Sequence, residues 1–333
     1  MSLRVTVLGA GSWGTTVASL LSRNTPTLLW ARDPQVVTEI NDNRSNERYL
    51  PDARLSQKLN ATVDLEYAIR EADVIFVATP AQTFRAVLTE VARQIRPWVP
   101  IISLAKGLEL GTMMRMTQIV DELLPGHPPG VLTGPNLASE IISGHAAASV
   151  IAMEDDTICR TLRRLFGSTV FRVYTNNDLV GCELGGALKN VIAIAAGMSD
   201  GFNAGDNTRA AIITRGLAEL TRLGITMGGR AETFAGLAGM GDLVATCTSK
   251  YSRNRYVGEQ LGRGRALDEV IREMHHVAEG VKSVSSVVAL AEQHGVEVPI
   301  MLEVNNVVQE LASPKQALRA VLRIESGAEW EPG

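Results

Sequence analysis

The sequence predicts an α/β domain built on a parallel sheet, spanning residues 1–182, followed by an all-α domain over residues 183–333. Three observations predict this. Apolar runs of strand length alternate with helical patterns through the first half, as in a sheet covered by helices on both faces. A glycine-rich turn, Gly9-Ala-Gly-Ser-Trp-Gly14, separates the first strand from the first helix. Beyond about Asp178 the apolar spacing is helical throughout, with breaks at Gly, Pro or Asn.

In chain order, Arg4 to Leu8 reads as a buried strand that runs through the glycine turn into a helix over Thr15 to Arg23. G-x-G-x-x-G between a strand and a helix is the dinucleotide fingerprint of a Rossmann domain. Gly9, Gly11 and Gly14 permit the tight turn and let a pyrophosphate reach the helix amides, with Ser12 and Trp13 beside it. Thr27 to Ala31 is the second strand. Arg32 follows it, about 18 residues past Gly14, where an acid would bond the ribose of NAD and an arginine the 2′-phosphate of NADP. Asp33 comes next, so the signal is mixed and the expected cofactor is NADP or NAD.

Asp73–Ala78, Pro100–Ala105 and Gly130–Thr133 are further strands. They end in Thr79-Pro80, in Lys106-Gly-Leu-Glu109 and in Gly134-Pro-Asn-Leu-Ala-Ser-Glu140. Ligands of such sheets bind beyond the carboxyl ends of the strands, which brings Lys106, Gly134, Asn136 and Ala138 toward one site. Ala147–Ala152 and Thr169–Tyr174 complete the sheet, with an amphipathic helix over Thr157–Phe166 between them.

Composition narrows the function. The 333 residues are 45% hydrophobic, with a formal net charge of −4 and no basic tail. Nucleic-acid binding, which needs a basic face to displace phosphate counterions, is not expected. Cys159, Cys182 and Cys247 are an odd, widely spaced set, read as neither disulfides nor a zinc site, and they point to a reducing cytoplasm. No apolar run approaches the roughly 18 residues of a membrane span. Adjacent His275 and His276 lack a third ligand, so no metal is expected.

The helical half is organised around the stretch from Gly181 to Gly201. Leu184, Leu188, Ile192 and Ala195 make its apolar stripe, and Lys189 lies off that stripe on a strip of Gly185, Gly186, Ala193 and Ala196. Such a strip admits another backbone or a flat ligand, and the segment offers the lysine no obvious local ion-pair partner. Desolvation there lowers the lysine pKa, so that its ammonium gives up a proton more readily. Further helices are read at Arg209–Leu223, Glu232–Leu237, Tyr256–Leu261, Leu267–Glu273, Ser283–His294, Ile300–Leu311 and Pro314–Leu322. Gly236-Leu-Ala-Gly-Met-Gly-Asp242 combines close-approach glycines with a carboxylate. Ser252-Arg253-Asn254-Arg255 opens a helix with a serine cap and two arginines, an arrangement that suits a phosphate dianion.

Taken together, Gly9-Ala-Gly-Ser-Trp-Gly14, Lys106-Gly-Leu-Glu109, Gly134-Pro-Asn, Leu188-Lys-Asn-Val191, Gly236-Leu-Ala-Gly-Met-Gly-Asp-Leu243 with Thr246-Cys, and Ser252-Arg-Asn-Arg255 resemble soluble NAD(P)-dependent glycerol-3-phosphate dehydrogenases of bacterial type over nearly the whole chain. The resemblance implies a helical domain like the C-terminal one of 6-phosphogluconate dehydrogenase. It implies reversible reduction of dihydroxyacetone phosphate to sn-glycerol 3-phosphate for phospholipid synthesis, in a cytoplasmic homodimer. Lys189 would be the catalytic acid/base. Lys106, Gly134, Asn136, Asp242, Ser252, Arg253 and Asn254 match substrate positions, while Ser12, Trp13, Arg32, Lys106, Ala138, Arg253, Val277 and Glu279 match cofactor positions. Asn136 stands where serine is common, and Ser139 where lysine or another polar residue is. Asp242 and Lys106 would orient Lys189, with Thr246 as a helper. Another hydroxyacid dehydrogenase or ketone reductase of the same plan, or an NAD(P)-sensing binding protein, are the alternatives.

Overall fold

A computed structural model describes residues 2–274 and 278–322. The chain forms two compact units, Met1–Glu109 with Met114–Leu179, and Leu110–Met113 with Val180–Gly333.

The first unit is an eight-stranded sheet in the order β3-β2-β1-β4-β5-β6-β7-β8. Its strands are β1 (Val5–Leu8), β2 (Thr27–Trp30), β3 (Asn60–Thr62), β4 (Val74–Val77), β5 (Ile101–Ser103), β6 (Pro129–Thr133), β7 (Ala147–Met153) and β8 (Phe171–Asn176). Its helices are α1 (Ser12–Leu21), α2 (Pro34–Asn43), α3 (Leu65–Arg70), α4 (Ala81–Ala92), α5 (Met116–Leu123), α6 (Ala138–Ile142) and α7 (Asp156–Arg164). Strand residues alternate between two cores because successive Cβ atoms point to opposite faces. Val5, Val7, Leu29, Val74 and Phe76 pack with α1 and α7 residues such as Val17, Leu21 and Leu162. Leu8, Trp30, Ile75 and Val77 pack with α3, α4 and α5 through Ile69, Phe84, Leu88 and Ile119.

Two features depart from the sequence reading. The edge strand β3 was not foreseen; it is three residues, Asn-Ala-Thr, and pairs with β2 without an apolar run. The sheet is also not wholly parallel, since β7 runs antiparallel to β6. The link between them holds only the five-residue α6. Over residues 134–146 the chain turns back and lays β7 against β6 in the reverse direction.

The second unit is helical: α8 (Leu179–Gly201), α9 (Asp206–Thr226), α10 (Ala231–Ala235), a π-helical turn over Leu237–Gly241, α11 (Asp242–Thr248), α12 (Arg253–Gly262), α13 (Leu267–Glu273), α14 (Glu279–Gln293), α15 (Pro299–Val308) and α16 (Pro314–Leu322). The 23-residue α8 has the length and apolarity of a membrane span, contrary to the sequence expectation, but 94% of its most apolar window is buried inside the protein. Glycines let its neighbours press against it. A Cβ at Gly197 would lie 2.0 Å from the Arg255 carbonyl oxygen, and one at Gly258 of α12 would lie 2.0 Å from that of Ile194. Backbone therefore meets backbone along α8 and α12.

Candidate active site

In the first unit the glycine turn divides its work. Gly9 has φ +112°, and a Cβ there would meet the Ala78 carbonyl oxygen at 2.9 Å. A Cβ at Gly14 would lie 2.0 Å from the Gly9 carbonyl oxygen, whereas one at Gly11 would meet nothing within 4 Å. The fold thus requires the first and third glycines, and the second keeps the outer side of the turn clear for a ligand. Gly11 caps α1 without a side-chain bond, and the first turn holds no acidic residue. Among the described residues, no hydrogen bond engages the amides of Ser12, Trp13 or Gly14. These amides and the helix dipole favour an anion.

Around this turn, the Ser12 hydroxyl donates to the Tyr49 carbonyl oxygen at 2.8 Å, which leaves its amide for a ligand. Trp13 sits edge-on to Phe171, at 6.2 Å between ring centroids. Arg32 is exposed after β2. Lys106 Nζ donates to the Gly134 carbonyl oxygen at 2.7 Å, and Asn136 Oδ1 accepts from Ser149 Oγ at 2.9 Å. Ala138 opens α6, and its carbonyl oxygen accepts from Thr16 Oγ1 of α1 at 3.4 Å. Lys106, Gly134 and Asn136 therefore gather beyond the carboxyl ends of β5 and β6.

Among the described residues, buried polar atoms at or after the strand ends without a hydrogen-bond partner include Trp13 Nε1, Thr79 Oγ1, Thr133 Oγ1 and Asn136 Nδ2. Each follows or ends β1, β4 or β6. Orphaned buried groups are costly unless a ligand satisfies them. Together with the open side of Gly11 they fit a dinucleotide, which brings phosphate, ribose and carboxamide oxygens.

In the second unit Lys189 is 4% exposed. Its ammonium forms an ion pair with Asp242 Oδ1 and donates to Thr246 Oγ1 at 2.5 Å. Thr246 in turn donates to the Asp242 carbonyl oxygen at 2.6 Å, so its lone pair faces the lysine. Asp242 opens α11 directly after the π-helical turn. Gly241 N–H bonds the Gly236 carbonyl oxygen at 3.0 Å, the five-residue reach that widens the helix. A Cβ at Gly185 would lie 2.5 Å from the Ala238 carbonyl oxygen, and one at Gly239 would lie 2.1 Å from that of Phe234. Glycine at both positions lets the turn close on α8. The small-residue strip near Lys189 thus receives the protein's own backbone at Gly185, and the counter-charge missing from the local sequence arrives from 53 residues downstream. Nearby Cys247 has its thiol pushed up to about 12 by burial, so it stays neutral.

The start of α12 is arranged for an anion. Ser252 caps it, accepting from the Arg255 amide at 3.3 Å. Arg253 is exposed and has no ion pair among the described residues. The expected pair of arginines is not available, because Arg255 is held by Asp200 at 2.7 Å and Glu259 at 3.3 Å. Asn254 is buried; its Nδ2 donates to Asn190 Oδ1 at 2.9 Å and its Oδ1 accepts from the Gly280 amide at 3.0 Å. The sequence reading did not assign Asn190 a role, although it follows Lys189 directly. Here it ties the N-terminal end of α12 to the turn of α8 that carries the lysine. Glu279 is the first residue of α14. Val277, His275 and His276 lie outside the described residues.

Comparison with known proteins matches both halves to family models. Residues 4–159 match the N-terminus, and residues 178–319 the C-terminus, of NAD-dependent glycerol-3-phosphate dehydrogenase. The chain belongs to the NAD-dependent glycerol-3-phosphate dehydrogenase family. It is 57% identical to a glycerol-3-phosphate dehydrogenase (NAD(P)+) of Sphingopyxis alaskensis over 100% of both chains. It is 47% identical to that of Geobacter sulfurreducens over 99% of both. Among solved structures, glycerol-3-phosphate dehydrogenase from Coxiella burnetii superposes with a TM-score of 0.92 at 36% identity, covering 97% of this chain and 99% of that one. The family, the fold class and the NAD or NADP cofactor expected from the sequence are those of these relatives.

Proposed function

We propose that the chain catalyses the reversible NAD(P)H-dependent reduction of dihydroxyacetone phosphate to sn-glycerol 3-phosphate, with Lys189 as the acid. The observation that carries this reading is the buried Lys189 ammonium fixed between Asp242 and Thr246. Bound reduced nicotinamide supplies a hydride to the ketone carbon. As the ketone oxygen gains negative charge, Lys189 stabilises it and gives up a proton. Asp242 keeps the buried amine charged until then, against the desolvation that favours the neutral form. Thr246 fixes the direction of the N–H groups. In the reverse reaction the neutral amine takes the alcohol proton, and Asp242 stabilises the ammonium that results.

Arg253 and the first amides of α12 hold the substrate phosphate through charge-assisted bonds. This remote anchor positions the reacting carbon. Lys106, Gly134 and Asn136 are the polar candidates of the coenzyme-binding part, residues 1–182; Lys189 and the phosphate anchor belong to residues 183–333. In the coenzyme site, the amides of Ser12 and Trp13 would meet the pyrophosphate, Arg32 the adenosine ribose end, and Ala138, Val277 and Glu279 the remaining edges.

The product serves glycerophospholipid synthesis, and the enzyme acts in the cytoplasm as a homodimer. Free buried cysteines support the reducing compartment, and the family likeness supports the dimer. The test is the decay of reduced-nicotinamide absorbance on adding dihydroxyacetone phosphate, with NADH and NADPH in turn. Decay with this ketone, and none with unphosphorylated dihydroxyacetone at equal concentration, is the expected result. Indifference to the phosphate group would overturn the assignment.

A further inference from the structure

Arg32 and Asp33 stand side by side after β2 and point to opposite coenzymes. The structure separates their roles. Both carboxylate oxygens of Asp33 are engaged. Oδ1 accepts from the Gln35 amide at 2.9 Å, capping α2, and Oδ2 accepts from Arg48 Nη1 at 3.3 Å. A carboxylate occupied on both oxygens is a poor partner for two ribose hydroxyls. Arg32 has no ion pair or hydrogen bond among the described residues.

Arg48 is the residue that changes the balance. Its guanidinium lies over the Tyr49 ring, 5.3 Å from the centroid. The segment carrying it is stitched to the glycine turn. The Tyr49 carbonyl oxygen takes the Ser12 hydroxyl. Fully buried Asn46 donates to the Ala10 carbonyl oxygen at 3.0 Å and to Thr15 Oγ1 at 2.9 Å. The fold therefore delivers a second cation to the neighbour of Arg32, at the end of β2 where the adenosine ribose of a dinucleotide comes to rest.

Asp33 alone would repel a phosphate dianion there; paired with Arg48, it does not. The pair is solvent-exposed, with 63% of the Arg48 side chain and 39% of the Asp33 side chain accessible. Such pairs hold their partners weakly. Only Nη1 of Arg48 is engaged by Asp33, so the remaining N–H donors of the guanidinium can take a phosphate dianion while it stays paired with Asp33 and stacked on Tyr49.

Resting on the dinucleotide reading above, we propose that Arg48 is the second cation, with Arg32, of a site for the 2′-phosphate of NADP(H), and that Asp33 anchors this arginine rather than reading the ribose.

The test is calorimetric titration of the full-length protein with adenosine 2′,5′-bisphosphate and with adenosine 5′-monophosphate. The wild type should bind the bisphosphate more tightly. Arg48→Gln should weaken the bisphosphate about tenfold, the loss of one charge-assisted contact, and leave the monophosphate within about twofold. Arg32→Gln should act likewise, and the double variant should lose the preference. An Arg48→Gln protein that keeps the full preference, or weakens on both ligands equally, overturns the assignment. So does a wild type that does not distinguish them. Dihydroxyacetone phosphate reduction by the wild type with NADH, measured on the same preparation, separates that failure from failure of the catalytic reading.

Discussion

Replacing Lys189 with methionine tests the buried ion pair and the mechanism together. The side chains of Lys189 and Asp242 are 5% and 2% exposed. Removing the cation therefore takes the Lys189 partner from a buried carboxylate. Breaking a buried pair from one side costs about 3–5 kcal/mol, a large part of a net stability of about 5–15 kcal/mol. For a unit of this size about 1 kcal/mol corresponds to roughly 2–4 °C in Tm, so Lys189→Met should melt about 6–20 °C below wild type. The double variant Lys189→Met with Asp242→Asn removes the carboxylate charge as well. It should recover most of that loss, because a neutral amide beside Thr246 is far cheaper to bury. Both proteins should lose at least about a hundredfold in kcat. Melting of wild type, both single variants and the double variant by circular dichroism gives the full cycle. A Lys189→Met protein as stable as wild type, or a double variant whose loss is the sum of the singles, would refute the reasoning.

Other outcomes follow from the same geometry. Arg253→Gln should raise KM for dihydroxyacetone phosphate about tenfold or more, because Arg255 is held by Asp200 and Glu259 and cannot take over, and should leave coenzyme-independent melting unchanged. Gly14→Ala puts a methyl 2.0 Å from the Gly9 carbonyl oxygen and should cost about 1–3 kcal/mol of stability by overpacking. Gly11→Ala, where the methyl meets no protein atom within 4 Å, should keep its Tm and lose coenzyme affinity, as titration calorimetry would show. Glu219 of α9 accepts the Ile300 and Met301 amides at 2.8 and 3.2 Å, and burial pushes its carboxyl from 4.5 up to about 7. A raised carboxyl pKa favours folding below about pH 4.5, and that contribution is lost as pH rises toward 7. The stability of wild type relative to Glu219→Gln should therefore fall across this window, by at most about 3 kcal/mol, and level off above it. Denaturant titrations at several pH values would check it, and a flat difference would count against a raised pKa.

The parts of the fold that could be read in advance are those with a local signature. β1, β4 and β5 are continuous apolar runs, and the glycine turn has a strand before it and a helix after it. β3 carries no such signature, since Asn60-Ala-Thr62 is polar and owes its conformation to pairing with β2. The direction of β7, antiparallel to β6, has no signature in its own apolar run. α11 was hidden because three glycines, Gly236, Gly239 and Gly241, stand immediately before it, and glycine is a poor helix former on its own. The close approach of the Phe234 backbone in α10 makes Gly239 necessary.

The candidate site divides in the same way. Lys189 stood out because its neighbours are small. Its real surroundings, Asp242 and Thr246, are remote in sequence, and only the motif likeness pointed to them. Arg255 looked equivalent to Arg253 until Asp200, 55 residues upstream, proved to occupy its guanidinium. Arg48 gave no signal, and Asn190 stood inside the Leu188–Val191 motif without a role of its own, because both roles depend on side-chain partners that the linear order does not bring together.

The central claim is that one buried ammonium, held by a carboxylate and a hydroxyl, protonates the ketone. Single-turnover mixing of coenzyme-loaded protein with dihydroxyacetone phosphate tests it most directly, comparing wild type with Lys189→Ala. The account predicts hydride transfer at least about a hundredfold slower in the variant, with NADPH affinity largely retained by titration. Transfer at the wild-type rate in a variant that still binds coenzyme would contradict it.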